Sequence, residues 1–202
     1  MKGYDKTIKD IQEIFDNQND KTIENHSRVV FSIAKVICND TIMNNDNIFL
    51  KDDYIKMIHI ISLGHDIGKY ENDKDSDEDH SHISSRIINN IMKKNGVEKY
   101  YRNMISKAIY NHSDKKDYNS FDILDKILIE ADILSKLTPA YFITLYDSRK
   151  SLQYNYDKIL GCVKSKVFDL NHIIKTKSGK KIYGKLYQNF CMFKISMTNI
   201  LW

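Results

Sequence analysis

The sequence predicts an all-α fold, and three observations predict it. The chain has one proline and seven glycines in 202 residues, too few for the turns that a strand-rich protein needs. Its apolar residues recur at helical spacing rather than alternating. Polar stretches at 39–47, 71–79 and 113–120 cut the periodic runs into pieces of helix length. Isoleucine is abundant and alone would favour strands, but its spacing is helical.

Taken in order, Ile8, Ile11, Ile14 and Phe15 mark a first short helix. Asp20 or Thr22 can cap the second, which carries Ile23, His26, Val30, Ile33, Ala34 and Ile37 on one side. A third helix opens at Asp52 and runs through Tyr54, Ile55, Ile58 and Ile61 to His65, with Gly68 ending or kinking it. The segment 71–79 holds six acidic residues and one lysine and reads as a solvated loop. A helix over 80–95 follows, with Ile83, Ile87, Ile88 and Ile91 inward and Gly96 as its stop. Another spans 98–112. The stretch 121–137 is strongly amphipathic, and Pro139 bars its simple continuation. Two helical segments fall near 140–147 and 154–168. Ser178 caps a last helix whose stripe is Ile182, Leu186, Phe190, Phe193, Met197 and Leu201.

The apolar fraction of 42% and charged fraction of 29% are those of a globular domain, and a chain of this length buries a substantial core. The net charge of +4 is uneven. Residues 161–202 hold eight lysines and one aspartate, so the rest of the chain sums to −3. A lysine-rich end attracts phosphate-bearing ligands or nucleic acid, although a solvated helix face is the plainer reading. Cys38, Cys162 and Cys191 are odd in number and far apart, which argues against a disulfide framework and for a reducing compartment. The N-terminus has no apolar h-region, and no apolar run reaches the ~20 residues that span a bilayer. A cytoplasmic protein with no membrane partner is expected.

The chemistry gathers around the histidines. His26 shares an apolar helix face with Val30 and Ile33. His65 and Asp66 are neighbours at the end of an apolar helix. Adjacent helical residues point about 100° apart, so both reach one metal only near a helix end or across a crevice. Asp132 lies among Ile129, Ala131, Ile133 and Leu134, where a carboxylate is costly unless a cation or hydrogen bonds compensate it. Two imidazoles and two carboxylates form a mixed N/O set that suits manganese, iron, zinc, cobalt or nickel, with magnesium also admitted. His59 reads as a core histidine, and His172, placed in a loop, gets no role.

His26, then LGHDIGK at 63–69, then IEADILSKL at 129–137 resemble the HD-domain metal-dependent phosphohydrolase superfamily, whose motif is H…HD…D. The segment NHSRVVFSIAKVI resembles the family's first motif helix, and the likeness spans roughly residues 20–140. It implies a compact helical bundle with a metal held by His26, His65, Asp66 and Asp132. Residues 1–140 would form the metal-binding core and 141–202 a helical extension packed on it. His80, four residues before Ser84, and His112 match the extended H…HD…H…H…D pattern, in which the HD aspartate bridges two ions. By that analogy Asp66 bridges and His80 and His112 serve the second ion, or they contact substrate phosphate instead, so one or two ions are expected. His82 is the alternative to His80. Unlike HD-GYP phosphodiesterases, the chain has Ser113 after His112 and no GYP segment.

A divalent ion acidifies a bound water to a pKa of about 7 in favourable sites and neutralises phosphoryl oxygens. Asp66 would orient the water besides ligating. Lys69, Arg28 and Lys136 are the candidates to hold phosphate, with Lys69 foremost because it belongs to the HDIGK motif. The resemblance implies a small phosphate-bearing substrate, a nucleotide or dinucleotide. The alternatives are a nuclease acting on single-stranded nucleic acid, helped by the basic C-terminal segment, and a non-catalytic metal-stabilised signalling domain.

Overall fold

The computed structural model describes residues 2–42, 48–71, 78–113, 120–146 and 148–201, the side chains of 42, 48–51, 164–172 and 197–201 apart. Among the described residues the secondary structure is entirely helical: α1 Tyr4–Asp16, α2 Thr22–Ile42, α3 Ile48–Gly64, a 3-10 turn Ile67–Tyr70, α4 His80–Lys94, α5 Lys99–Asn111, α6 Ile123–Ser135, α7 Pro139–Leu145, α8 Leu152–Ile173 and α9 Lys177–Leu201. No described helix is long and apolar enough to cross a membrane.

The polar residues at 39–41 do not stop α2, and α3 starts four residues before Asp52. Most of the acidic stretch (72–77) and of the 113–120 break (114–119) lies outside the described residues. Asp20 caps α2 by accepting from the Thr22 backbone N–H at 2.8 Å. Gly96, at φ 76°, ends α4 in the left-handed region that favours glycine. Pro139 begins α7 at its first turn, with the Thr138 hydroxyl as cap.

Helix α2 packs between α3 and α6. Helix α4 pairs with α5, α5 leans on α6, and α1 lies against α3 and α4. Helix α9 covers α2 and α6, α8 covers α6, and α7 links α2 to α8. One hydrophobic cluster runs from Tyr4 and Phe15 through Ile58, Ile61, Ile88 and Ile109 to Ile129, Ile133, Val163, Ile174 and Phe190.

Helix α6 departs from its amphipathic reading. Every residue from Ile127 to Ser135 is buried, because α8 and α9 cover the side that α2 and α5 leave open. Each carboxylate in it is therefore paired. Glu130, fully buried, accepts from the backbone N–H groups of Lys175 at 2.8 Å and Thr176 at 3.0 Å. This seats the start of α9 and corrects the cap. Thr176 accepts from Gly179 N at 3.0 Å, while Ser178 lies inside the helix and donates to Asp40.

Two glycines bring the site helices together. A Cβ on Gly64 would lie 2.6 Å from the Ile88 side chain, and one on Gly68 would lie 2.5 Å from His80 O and 2.7 Å from Ser84 N. Gly64, rather than Gly68, ends α3. The absence of a side chain at Gly68 lets α4 press onto the 3-10 turn, where Gly68 N donates to Ser84 Oγ at 2.8 Å.

Candidate metal centre

Five elements deliver six side chains to one point. His26 comes from the second turn of α2. His65 and Asp66 sit where α3 stops and before the 3-10 turn begins, so the helical fan of about 100° no longer separates them. His80 is the first residue of α4, His112 follows the last residue of α5, and Asp132 lies in the last turn of α6.

Four imidazoles share one arrangement, with Nδ1 on an oxygen and Nε2 turned inward. His65 Nδ1 is 2.8 Å from Ser62 O and His112 Nδ1 is 2.6 Å from Ile109 O. Carbonyl oxygens only accept, so both rings carry a proton on Nδ1 and, when neutral, keep Nε2 for a metal. His26 Nδ1 lies 3.3 Å from Ser135 Oγ, whose own proton goes to Asp132 O at 2.7 Å. His80 Nδ1 is 3.2 Å from Asp79 Oδ1.

The inward nitrogens meet two carboxylates. His26 Nε2 is 3.1 Å from Asp132 Oδ1 and 3.5 Å from Asp66 Oδ2. His65 Nε2 is 3.5 Å from Asp66 Oδ2 and 3.9 Å from Asp132 Oδ1. On the other side of Asp66, Oδ1 faces His80 Nε2 at 3.2 Å and His112 Nε2 at 3.5 Å. The ligand atoms of His26, His65 and Asp132 lie within 4.8 Å of one another, as do those of His65, Asp66 and His112.

A divalent cation fits these residues. Asp66 Oδ1 is buried and accepts no hydrogen bond, and an unpartnered buried acceptor is costly. Lone pairs on imidazole nitrogens facing carboxylate oxygens repel unless a positive charge lies between them. The donors fall into two sets joined by Asp66: His26, His65, Asp132 and Asp66 Oδ2 on one side, His80, His112 and Asp66 Oδ1 on the other. Imidazole-rich sets suit transition metals over magnesium.

The electrostatics keep these groups in ligating form. Burial pushes the His65 pKa down to about 3, against the opposing pull of Asp66, so the ring stays neutral. Burial opposes ionisation of Asp66, but its carboxyl is held well below the usual carboxylate range, with the Lys69 ammonium against it. Asp132 is held down likewise, burial being outweighed by the Lys136 ammonium beside it. Lys69 Nζ donates to Asp66 Oδ2 at 2.5 Å, and Lys136 Nζ to Asp132 Oδ2 at 2.8 Å.

A cavity of about 230 Å³ opens beside the first donor set. His26, Asp66, Lys69 and Lys136 line its charged end, and Ile23, Val29, Ala140 and Tyr141 its apolar wall.

Six of the sequence-derived candidates thus converge, with Lys69 and Lys136 alongside. Arg28 points elsewhere: its guanidinium pairs with Glu24 at 2.8 Å and Gln12 at 2.5 Å and does not line the cavity. Two residues past His26, it faces about 200° away around α2. The same arithmetic separates His80 from His82, whose ring stacks on Tyr110 at 4.0 Å. His59 stacks on Phe31 at 4.0 Å. His172 lies in the last turn of α8 rather than in a loop. The sequence reading missed the groups that hold the rings, Ser62, Asp79 and Ser135. Asp79 had a signal, since an aspartate before a helix start is a cap. The carbonyl partners had none, because a backbone acceptor leaves no mark in the sequence.

The HD domain family model matches residues 23–137. A crystal structure of a predicted HD superfamily hydrolase from an uncultured Thermotogales bacterium superposes with a TM-score of 0.66 at 17% identity, covering 98% of this chain and 92% of that one. No curated protein matches the chain.

Proposed function

The chain belongs to the HD-domain family, and from that premise we propose that it is a metal-dependent phosphohydrolase with two transition-metal ions, acting on a nucleotide or related small phosphate compound. The observation that carries this reading is the pair of donor sets joined by Asp66 at the charged end of a cavity. A buried pair of carboxylates already matched by two lysines has no structural need for four inward-turned imidazoles. A non-catalytic scaffold has no use for a cavity against the ligands either.

A divalent ion bound here supplies Lewis-acid chemistry, acidifying water and neutralising phosphoryl oxygens. The protein does the rest. His26, His65, Asp66 and Asp132 hold the first ion, and Asp66, His80 and His112 the second. Lys69, with 43% of its side chain exposed, reaches the cavity and holds a phosphate oxygen there. Lys136 balances Asp132 and presents its charge to the same end of the cavity. Asp66, ionised at working pH, accepts a hydrogen bond from the attacking water and orients it. The apolar wall of Ile23, Val29 and Tyr141 takes the rest of the substrate and excludes water from it. This supports a small molecule over the alternative of a nucleic-acid strand, which needs a long basic groove with stacking aromatics.

The test is phosphate or nucleoside phosphate release from nucleotides, dinucleoside polyphosphates, cyclic dinucleotides and single-stranded nucleic acid, by chelated protein reloaded with manganese, iron or cobalt. Metal-dependent turnover of a small phosphate compound is expected. Inertness of the metal-loaded protein across that panel defeats the proposal, and turnover of the strands alone replaces it with the nuclease reading.

A further inference from the structure

We infer that Asp79 is a positioning residue for the second ion: it aims His80 and fastens together the two helix ends that supply that ion's imidazoles. The inference rests on the two-ion reading above.

The four inward-turned rings are not held alike. His65 and His112 are packed, with 0% and 4% of their side chains exposed, and His26 is 13% exposed. Each rests its Nδ1 on a neutral oxygen, Ser62 O, Ile109 O or Ser135 Oγ. His80 has 25% of its side chain exposed and is the only one whose Nδ1 meets a carboxylate. Packing does less to fix this ring, so its orientation depends on Asp79. A carboxylate on Nδ1 also sets the tautomer, places the lone pair on Nε2 and raises the basicity of that nitrogen towards a metal.

The Asp79 side chain is 45% exposed, so hydrogen bonds rather than packing hold it in place. Asp79 is the N-cap of α4, with extended backbone at φ −62° and ψ 135°. Its Oδ1 accepts from Ser81 N at 2.8 Å, which leaves the same oxygen beside the ring of the next residue. Its Oδ2 lies 3.4 Å from the hydroxyl of Ser113, the residue after His112. That hydroxyl is also 3.0 Å from Ser81 Oγ. Asp79, Ser81 and Ser113 therefore tie the start of α4, which bears His80, to the end of α5, which bears His112.

A capping role alone has to be separated from this positioning role. Serine caps a helix about as well as aspartate but brings no carboxylate to His80. The experiment is cobalt(II) titration of chelated full-length protein, read by calorimetry and by visible absorption, in wild type, Asp79→Ser and Asp79→Asn. Wild type should take up two ions. Asp79→Ser should bind the first as wild type does and the second about 10–100-fold more weakly, with the thermal midpoint of the metal-free protein unchanged. Asp79→Asn, which keeps an oxygen near the ring but no charge, should fall between. Asp79→Ser that takes up both ions with wild-type affinity overturns the inference and leaves the two-ion reading intact. So does a variant that weakens both ions equally while lowering the metal-free midpoint, which is a folding effect. Wild type that saturates at one ion overturns the two-ion reading and this inference together.

Discussion

His26 and His65 face each other with their Nε2 atoms 3.3 Å apart, and each ring turns its Nδ1 to an oxygen on the far side. His65 carries its proton on Nδ1, where Ser62 O receives it, and His26 carries its own towards Ser135 Oγ. Two lone pairs at that separation, with Asp66 Oδ2 and Asp132 Oδ1 beside them, form a pocket of negative potential that a cation relieves. The chain thus keeps together a set of groups that repel unless an ion joins them.

The two lysines should separate by function. Lys69 is half exposed and Lys136 has 20% of its side chain exposed. Lys69→Ala should keep its metal and its fold while the turnover rate falls by about 10²-fold, the usual effect of removing one charge-stabilising donor. Lys136→Ala leaves buried Asp132 without its ammonium and should lower stability by roughly 3–5 kcal/mol in metal-free protein. Steady-state kinetics with metal analysis check the first, and urea unfolding the second. Equal losses of stability in the two variants would contradict the distinction.

Gly68→Ala should disturb the site through the backbone. The added Cβ meets His80 O and Ser84 N at 2.5 and 2.7 Å, atoms that move only if α4 moves. Overpacking of this kind costs about 1–3 kcal/mol, a fall of roughly 2–12 °C in thermal midpoint for a chain near this size. Gly184→Ala is the control. Its Cβ enters open space in α9, and alanine is the better helix former, so its midpoint should hold or rise. A Gly68→Ala midpoint equal to that of wild type would contradict the packing described.

The metal-free protein should lose stability in mild acid. Burial holds the His65 pKa at about 3 against an ordinary 6.5. As pH falls below 6.5 the unfolded chain takes up a proton on this ring and the folded chain does not, so stability is full above 6.5 and is lost towards 3. The shift corresponds to roughly 4–5 kcal/mol over that whole window. His59, lowered by burial and by Arg28 and Lys35, acts in the same direction. Asp66 and Asp132, held well below the usual carboxylate range, add their loss only below about pH 4. Urea midpoints of chelated protein should fall steadily from pH 7 to pH 5. A flat profile over that range would contradict a neutral buried His65.

Much of this was legible before the structure, for identifiable reasons. Helical periodicity marks the helices because a helix with one buried face must repeat its apolar residues. The strongest metal candidates were legible because a charged or imidazole side chain on an apolar helix has few stable environments. The choice between His80 and His82 was not legible, since it turns on where α4 starts, and the two-residue step between them exchanges the faces. The pairing of Arg28 with Glu24 and Gln12 was not legible either, since Gln12 comes from another helix. The cap at Thr176 was hidden because Glu130, 46 residues away, decides it. The burial of α6 on all sides followed from α8 and α9, whose placement no local pattern encodes.

The most direct test of the two-ion centre is the metal content per chain after reconstitution with manganese(II) or cobalt(II) and removal of free ion, in wild type, His112→Ala and Asp66→Ala. Asp66 joins both donor sets and His112 belongs to the second. Wild type should hold close to two ions, His112→Ala close to one, and Asp66→Ala less than one. Full occupancy in Asp66→Ala, or a wild type that holds one ion and keeps it unchanged in His112→Ala, would contradict the two-ion centre.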